Sequence, residues 1–262
     1  RVLREQGHRV TTVGSRAEDP LVSLGDNHRL IDYSDTDALK AVIAEERPDY
    51  LVPGCTDRSY ASCVTVNQEG KYPGLDTPET FSTLHDKQQF RRFCEREGLS
   101  VPELLSPAEA IDRPAVMVKP ADAYSGRGIT RLHQPNAETL EQACATAEAA
   151  SPSGQVTLEA YVEGQLYSHS AFIARGRIVR EHWVAEYCAA NPFVVDLSHL
   201  ASDLPEALTH RIRGHLEHLI HTLKLCDGLL HTQFIRKDNN FWLIEITRRC
   251  PGDLYSQLIQ LS

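Results

Sequence analysis

Long apolar runs are missing from this chain of 262 residues. None approaches the ~18 residues of a membrane-spanning helix, so a helical membrane protein is excluded. The opening RVLREQGHRVTTV lacks the continuous apolar stretch of a signal peptide. Positive charge is in short supply too. Lys+Arg number 27 against 36 Asp+Glu, a net charge of −9, and a general nucleic-acid binder needs the opposite footprint. Seven cysteines (Cys55, Cys63, Cys94, Cys144, Cys188, Cys226, Cys250) are scattered without a CxxC pair. That pattern is neither a disulfide framework nor a zinc site, and it leaves free thiols in a reducing cytoplasm as the expectation. No internal repeat, low-complexity segment, P-loop GxxxxGK[ST] or dinucleotide GxGxxG is present. What is there is a soluble, globular balance of 41% hydrophobic and 24% charged residues. The length fits one large or two modest domains with a multi-layer core.

The first part alternates short apolar runs with helical patterns. Val10–Val13 and Tyr50–Val52 read as strands and Asp37–Glu46 as a helix, a βαβ rhythm that implies a parallel sheet. After the turn residues Pro73 and Gly74 a single long helix is expected, with Leu84, Lys87, Phe90, Phe93 and Cys94 at helical spacing up to Gly98. From Ala115 the pattern turns β-rich: VMVK, a glycine loop, ITRL, an Ala/Glu-rich helix over 137–149, then a strand over 156–162. Hairpins turn at Arg175–Gly176 and at Asp238–Asn240. Between them Ile212, Leu216, Leu219, Ile220 and Leu223 line one helix face. The opening reads as a helix end running into a strand and the last residues as an interrupted helix, so both ends look cut.

Three stretches carry chemistry. In VKPADAYSGRG (118–128) a strand-end lysine precedes a loop of small residues, whose N–H groups can approach phosphate oxygens while the lysine supplies counter-charge. Taken singly, such a loop is also an ordinary turn. In GLLHTQFI and FWLIEIT, alternation puts Leu230, Thr232, Phe234, Trp242, Ile244 and Ile246 on an apolar face and His231, Gln233, Glu245 and Thr247 on the other. An odd-length loop centred on Asn239 would set Gln233 opposite Glu245, their roots ~5 Å apart. An amide oxygen and a carboxylate at that spacing suit an oxygen-loving cation such as Mg²⁺. Arg248, Arg249, Pro251, Gly252 and Asp253 continue from the same strand end. The third stretch, LEAYVEG (158–164), is a strand end able to read an adenine edge.

Taken in order, HDKQQF, VKPADAYSGRG, LEAYVEG and HTQF…FWLIEITRR resemble the ATP-grasp superfamily over essentially the whole chain. The branch it most resembles contains carbamoyl-phosphate synthase, biotin carboxylase and amino-acid ligases. The resemblance implies a mixed α/β and α+β architecture, an ATP-grasp fold with an N-terminal, Rossmann-like pre-ATP-grasp domain. That domain would span 1–85 and the ATP-grasp domain 86–262, with a lid at about 113–160 and a C-terminal metal and nucleotide half at 161–262. It implies ATP and Mg²⁺ as cofactors, with Mn²⁺ as the alternative ion. Carried over residue by residue, Lys87 and Lys119 contact ATP phosphates, and Ser125, Gly126 and Gly128 belong to the phosphate lid. Glu159, Tyr161 and Val162 lie at the adenine–ribose hinge. Gln233, Glu245 and Thr247 form the metal set, and Arg249 steadies the transferred phosphoryl group. Thr247 replaces the family's usual Asn, and Leu166 stands where many members have Glu.

The implied function is a carboxylate–amine ligase acting through an acyl phosphate and releasing ADP and phosphate. Its partners would be a small-molecule carboxylate and an amine, with neither nucleic acid nor membrane involved and a homodimer compatible with it. A bicarbonate-using carboxylase or carbamoyl-phosphate-type enzyme and a non-catalytic ATP-binding module remain open. Other candidates are His210, His215, His218 and His221, expected on a solvated helix face, and Arg180 and His182, facing a cleft or solvent. Thr56 and Asp57 are placed for substrate contact at a sheet end. Cys55 has no partner pattern for a nucleophile.

Overall fold

A computed structural model describes residues 2–123 and 126–251. The chain divides into two compact units. One runs to Pro78 and takes back the segment beginning at Arg249; the other spans Glu79–Arg248. Among the described residues no helix is long and apolar enough to cross a membrane.

The first unit opens with α1 (Val2–Glu5), followed by β1 (Thr11–Gly14) and β2 (Asn27–Leu30). The two strands pair in parallel, Thr11 opposite Asn27. Next come α2 (Thr36–Glu46) and α3 (Asp57–Val66). Asp35 caps α2 by accepting from the N–H groups of Asp37 and Ala38, and Thr56 caps α3 by accepting from Ser59 N–H. The expected strand at Tyr50–Val52 does not form. Tyr50 and Val52 are exposed, so an apolar run too short to be covered stays irregular. The unit's buried hydrophobics are Leu39, Tyr60, Val64, Tyr72 and Leu75, with the Tyr60 hydroxyl donating to Asp76 at 2.7 Å.

The expected single long helix is two, α4 (Pro78–His85) and α5 (Lys87–Arg96). Asp86 breaks it. Its backbone is extended and its carboxylate accepts from Gln89 N–H at 2.8 Å, so it caps a fresh helix. Periodicity survives the break, since Leu84, Phe90, Phe93 and Cys94 are all buried in one core. After α6 (Pro107–Ile111) comes a small sheet of β3 (Ala115–Pro120), β4 (Thr130–His133) and β5 (Val156–Ala160), in the order β4-β3-β5. The strand expected over 156–162 thus ends at Ala160. Helix α7 (Ala137–Ala150) backs this sheet, packing Leu140, Ala143 and Ala147 on Val116, Val118 and Leu158.

The larger sheet contains β6 (Gln165–Ala174), β7 (Arg177–Tyr187), β8 (Leu197–Leu200), β9 (Gly228–Lys237) and β10 (Asn240–Thr247), ordered β10-β9-β6-β7-β8. Every neighbouring pair is antiparallel. Helix α8 (Glu206–Leu223) covers it, burying Leu208, Ile212, Leu216, Leu219 and Ile220 against Tyr167, Ala171, Phe234 and Leu243. That is the amphipathic face expected from the sequence.

The last hairpin corrects two expectations. Asn240 pairs with Lys237, so the turn has two residues and is not odd. Asp238 takes the left-handed conformation that such turns require (φ 55°). Pairing continues in even register to Leu243–Phe234 and then shifts, leaving Ile244 as a bulge and setting Glu245 opposite Gln233. The expected pair therefore forms, but the bulge and not the loop makes it. The bulge also reverses the strand's parity. Phe241, Leu243 and Ile246 are the β10 residues in the core, whereas Trp242 and Ile244, expected there, are only half-buried.

Candidate active site

The first half of the site grows from β3. Its burial alternates, sending Val116 and Val118 into the core under α7 and leaving Met117 and Lys119 on the opposite face. Met117 pairs with Glu159 and Lys119 with Thr157, so the Lys119 and Glu159 side chains are diagonal neighbours. The Lys119 ammonium donates to Glu159 Oε2 at 2.7 Å. On the other side of that carboxylate, Arg91 Nε from α5 stands 3.0 Å from Glu159 Oε1. Arg91 and Glu159 are fully buried, and the Lys119 side chain keeps 12% of its surface exposed.

Two cations share one carboxylate, which leaves a positive excess at the only member that reaches solvent. Burial pushes the Lys119 ammonium below its ordinary value; Glu159 opposes this, and Arg91 and Lys87 add to it. Burial alone would push the Glu159 carboxyl up, but Arg91 and then Lys119 overcome it and hold it below the usual range. An anion placed against Lys119 would relieve the excess.

Lys87 is the first residue of α5. Its backbone N–H donates to Ala121 O at 3.1 Å and its ammonium to Ala123 O at 3.0 Å, tying the helix start to the loop that follows β3. In that loop Gly126 and Gly128 are left-handed (φ 69° and 68°). A Cβ on Gly126 would come within 2.9 Å of Phe193, and one on Gly128 within 2.5 Å of Ala150 Cβ. Both positions need glycine for space as well as for φ. Ser125 lies outside the described residues.

Glu159 is placed differently from a ribose contact at a hinge: its side chain is committed to Lys119 and Arg91. Tyr161 follows the end of β5, its N–H donating to Ala115 O at 3.2 Å. The Arg131 guanidinium stacks 3.8 Å from the Tyr161 ring centroid. Val162 is half-buried.

The second half is the polar face of the large sheet. Glu245, Gln233 and Ser168 stand in one row across β10, β9 and β6, and Thr247, His231, Ser170 and His182 in the next. Gln233 Nε2 donates to Glu186 Oε2 at 2.7 Å, which turns the amide oxygen away from Glu186. Glu245 is exposed, while Glu186 and Thr247 are 2% and 3% exposed. Ser170 Oγ and His231 Nδ1 are 2.8 Å apart. A carboxylate beside an oriented amide oxygen is a hard-oxygen donor pair and fits Mg²⁺, which keeps most of its shell as water or substrate oxygen. The two halves meet at a cavity of about 10 Å³, room for one water, lined by Lys87 and Glu245 with His85, Phe90 and Ile246.

The arginine pair after β10 splits. Arg248 is buried and donates to Cys226 O and Leu229 O, fastening the approach to β9. Arg249 belongs to the first unit, where it grips Asp57 with Nε and Nη2 at 2.9 and 2.7 Å. Asp57, expected as a substrate contact, is thus an arginine partner, and Thr56 is a helix cap. Arg180 is exposed, and His182 stands opposite Ser170 on the polar face. Of the histidines on α8, His210, His218 and His221 are exposed. His215 departs from that face, with its ring edge-on to Phe241 at 5.0 Å. Among the described residues no group of three His, Cys, Asp or Glu could hold a metal.

Arg91 and Glu186 escape a motif reading. Arg91 had a weak signal, an arginine four residues after Lys87 and flanked by core positions Phe90 and Cys94. Glu186 had none, because its link to Gln233 runs across an intervening strand.

Known proteins supply the frame for this geometry. No family model matches the chain. A formate-dependent phosphoribosylglycinamide formyltransferase of Sodalis glossinidius is 32% identical over 133 residues, 47% of this chain and 33% of that protein. The chain spans about a third of that relative's length. Biotin carboxylase of Campylobacter jejuni, solved as a beta-gamma-ATP complex, superposes with a TM-score of 0.80 at 18% identity over 98% of this chain and 63% of that one. An L-amino acid ligase of Bacillus licheniformis superposes with a TM-score of 0.76 at 17% identity over 96% and 64%. The chain has the ATP-grasp fold. Within that fold, β3 and its glycine loop, the end of β5 and the β9–β10 hairpin are the segments that the sequence motifs marked.

Proposed function

We propose that this ATP-grasp chain carries the nucleotide and metal machinery of a carboxylate–amine ligase working through an acyl phosphate. The observation that carries the reading is the positive excess at Lys119, which shares the Glu159 carboxylate with Arg91, set in one unit with the Gln233–Glu245 oxygen pair. A site that holds two cations against one carboxylate is prepared for a polyanion, and the biotin carboxylase of Campylobacter jejuni, which shares this fold, is solved with an ATP-type polyanion. Gln233 and Glu245 would hold Mg²⁺ or Mn²⁺, with Thr247 beside them, and the ion would supply charge neutralisation at the phosphates.

The chemistry asks for positioning and electrostatics more than for covalent help. A substrate carboxylate oxygen attacks the terminal phosphorus, the bond to the bridging oxygen breaks, and ADP leaves. An amine then attacks the acyl carbon and phosphate departs, giving the amide. Lys119 and Lys87 neutralise charge as it shifts toward the leaving ADP. The loop carrying Gly126 and Gly128 covers the phosphates and keeps out water, which would hydrolyse the acyl phosphate. Tyr161 and Val162 lie beside the adenine, and Glu159 holds Lys119 in place. Arg249, which grips Asp57 within the first unit, is the arginine that the resemblance assigns to phosphoryl transfer. The first unit serves as the pre-ATP-grasp domain. The test is a matrix of carboxylates and amines scored for ADP release and amide product by mass spectrometry. ADP and phosphate with an amide are expected. Stoichiometric AMP, or turnover that needs bicarbonate in place of the organic acid, would replace the reading.

A further inference from the structure

The bulge at Ile244 needs a partner from outside the sheet. An extra residue leaves its backbone groups out of the ladder, and a buried carbonyl without a donor is unfavourable. Ile244 O has one: it accepts from Arg91 Nη2 at 2.8 Å. The same guanidinium stands 3.0 Å from Glu159 Oε1, whose other oxygen holds Lys119. A guanidinium is a planar fork of fixed donors, so these contacts are held at one separation. Arg91 itself is fully buried on α5 and lies four residues beyond Lys87.

The alternative register shows what the bulge does. Without it, Ile244 would oppose Gln233, and Glu245 would fall opposite Thr232 on the core face of β9. The donor pair would be gone and a carboxylate would be buried.

We propose that Arg91 is the positioning residue of the metal pole: by holding the Ile244 carbonyl it stabilises the bulge that presents Glu245 beside Gln233, and through Glu159 it ties that pole to Lys119. The proposal rests on reading Gln233 and Glu245 as cation ligands. Arg91 is fully buried, so its loss acts through the groups it holds.

The experiment compares the wild-type chain with Arg91→Lys and Arg91→Met. Three readouts are taken: ADP affinity in EDTA, the Mg²⁺ midpoint at saturating ADP, and amide hydrogen exchange over residues 243–247. Lysine keeps the charge beside Glu159 but lacks the fork. Arg91→Lys should therefore hold metal-free ADP affinity within about threefold of wild type. Its Mg²⁺ midpoint should rise by about tenfold or more, the usual scale for a lost outer-shell partner, and exchange at Glu245 and Ile246 should quicken. Arg91→Met should show the same metal and exchange effects. A folded Arg91→Lys or Arg91→Met protein with wild-type midpoint and exchange overturns the proposal. So does loss of fold in Arg91→Lys by circular dichroism, which would assign Arg91 to the core alone. If the wild-type chain binds no Mg²⁺-nucleotide, the ligase reading fails, while the exchange arm still decides whether Arg91 holds the bulge.

Discussion

The proposed phosphate half and the proposed metal half of the site are built by contrasting means. At β3 and β5 a regular antiparallel pair delivers Lys119 and Glu159 by register alone, and burial supplies the electrostatics. At β9 and β10 the ladder is broken on purpose, and an exposed carboxylate is brought to an amide by one extra residue. The first half is dry and pre-charged. The second opens to solvent at Glu245 and is geometrically delicate. Both halves depend on register, but burial sets the charge of the first and a single bulge sets the position of the second.

The largest expected effect breaks the first half. Lys119→Met should lower ADP release on the order of a hundredfold or more, the scale of losing a pre-organised charge at a transition state, with the fold retained. Full activity in a folded variant would show that the excess cation does not face the phosphates. On the metal half, Glu245→Gln removes the only carboxylate of the Gln233, Glu245 and Thr247 set, and it should abolish Mg²⁺-dependent turnover at ordinary ion concentrations. Normal turnover would shift the ion elsewhere.

Stability separates the two halves next. Glu159→Gln leaves Arg91 and Lys119 facing each other without their carboxylate, and should cost about 3–5 kcal/mol, as for other broken buried pairs. Glu245, exposed, should tolerate the same change with little effect on unfolding by urea. The pH dependence follows from the sign of the shift. Glu159 is held below its ordinary value of 4.5 in the folded chain. Its contribution is therefore complete above that value and is lost as pH falls through the lower folded value. Urea midpoints measured down the acid range should fall less steeply in Glu159→Gln than in wild type.

The smallest effect sharpens the metal half. A threonine hydroxyl is a shorter ligand than an asparagine amide oxygen, so Thr247→Asn should lower the Mg²⁺ midpoint for ADP release by less than about tenfold. An unchanged midpoint would remove Thr247 from the ion's surroundings.

By itself the sequence determined which residue types stand in which order, and that was enough to point to the fold. VKPADAYSGRG, LEAYVEG and the HTQF…FWLIEITRR hairpin are local patterns, each readable within a dozen or two residues. Helical spacing likewise marked Phe90, Phe93, Leu216 and Leu219 as core. Only the tertiary structure decided what those residues do to one another. Alternation assigns a face only up to parity, and one bulge at Ile244 reverses it, so Trp242 and Ile244 were placed on the wrong side while Glu245 was placed correctly for the wrong reason. The partners that tune the site lie far off in sequence: Glu186 is 47 residues from Gln233, and Asp57 is 192 from Arg249. Ion pairs and amide contacts of this kind carry no local pattern, because a buried charge selects its partner by distance in space and by the water that folding removes.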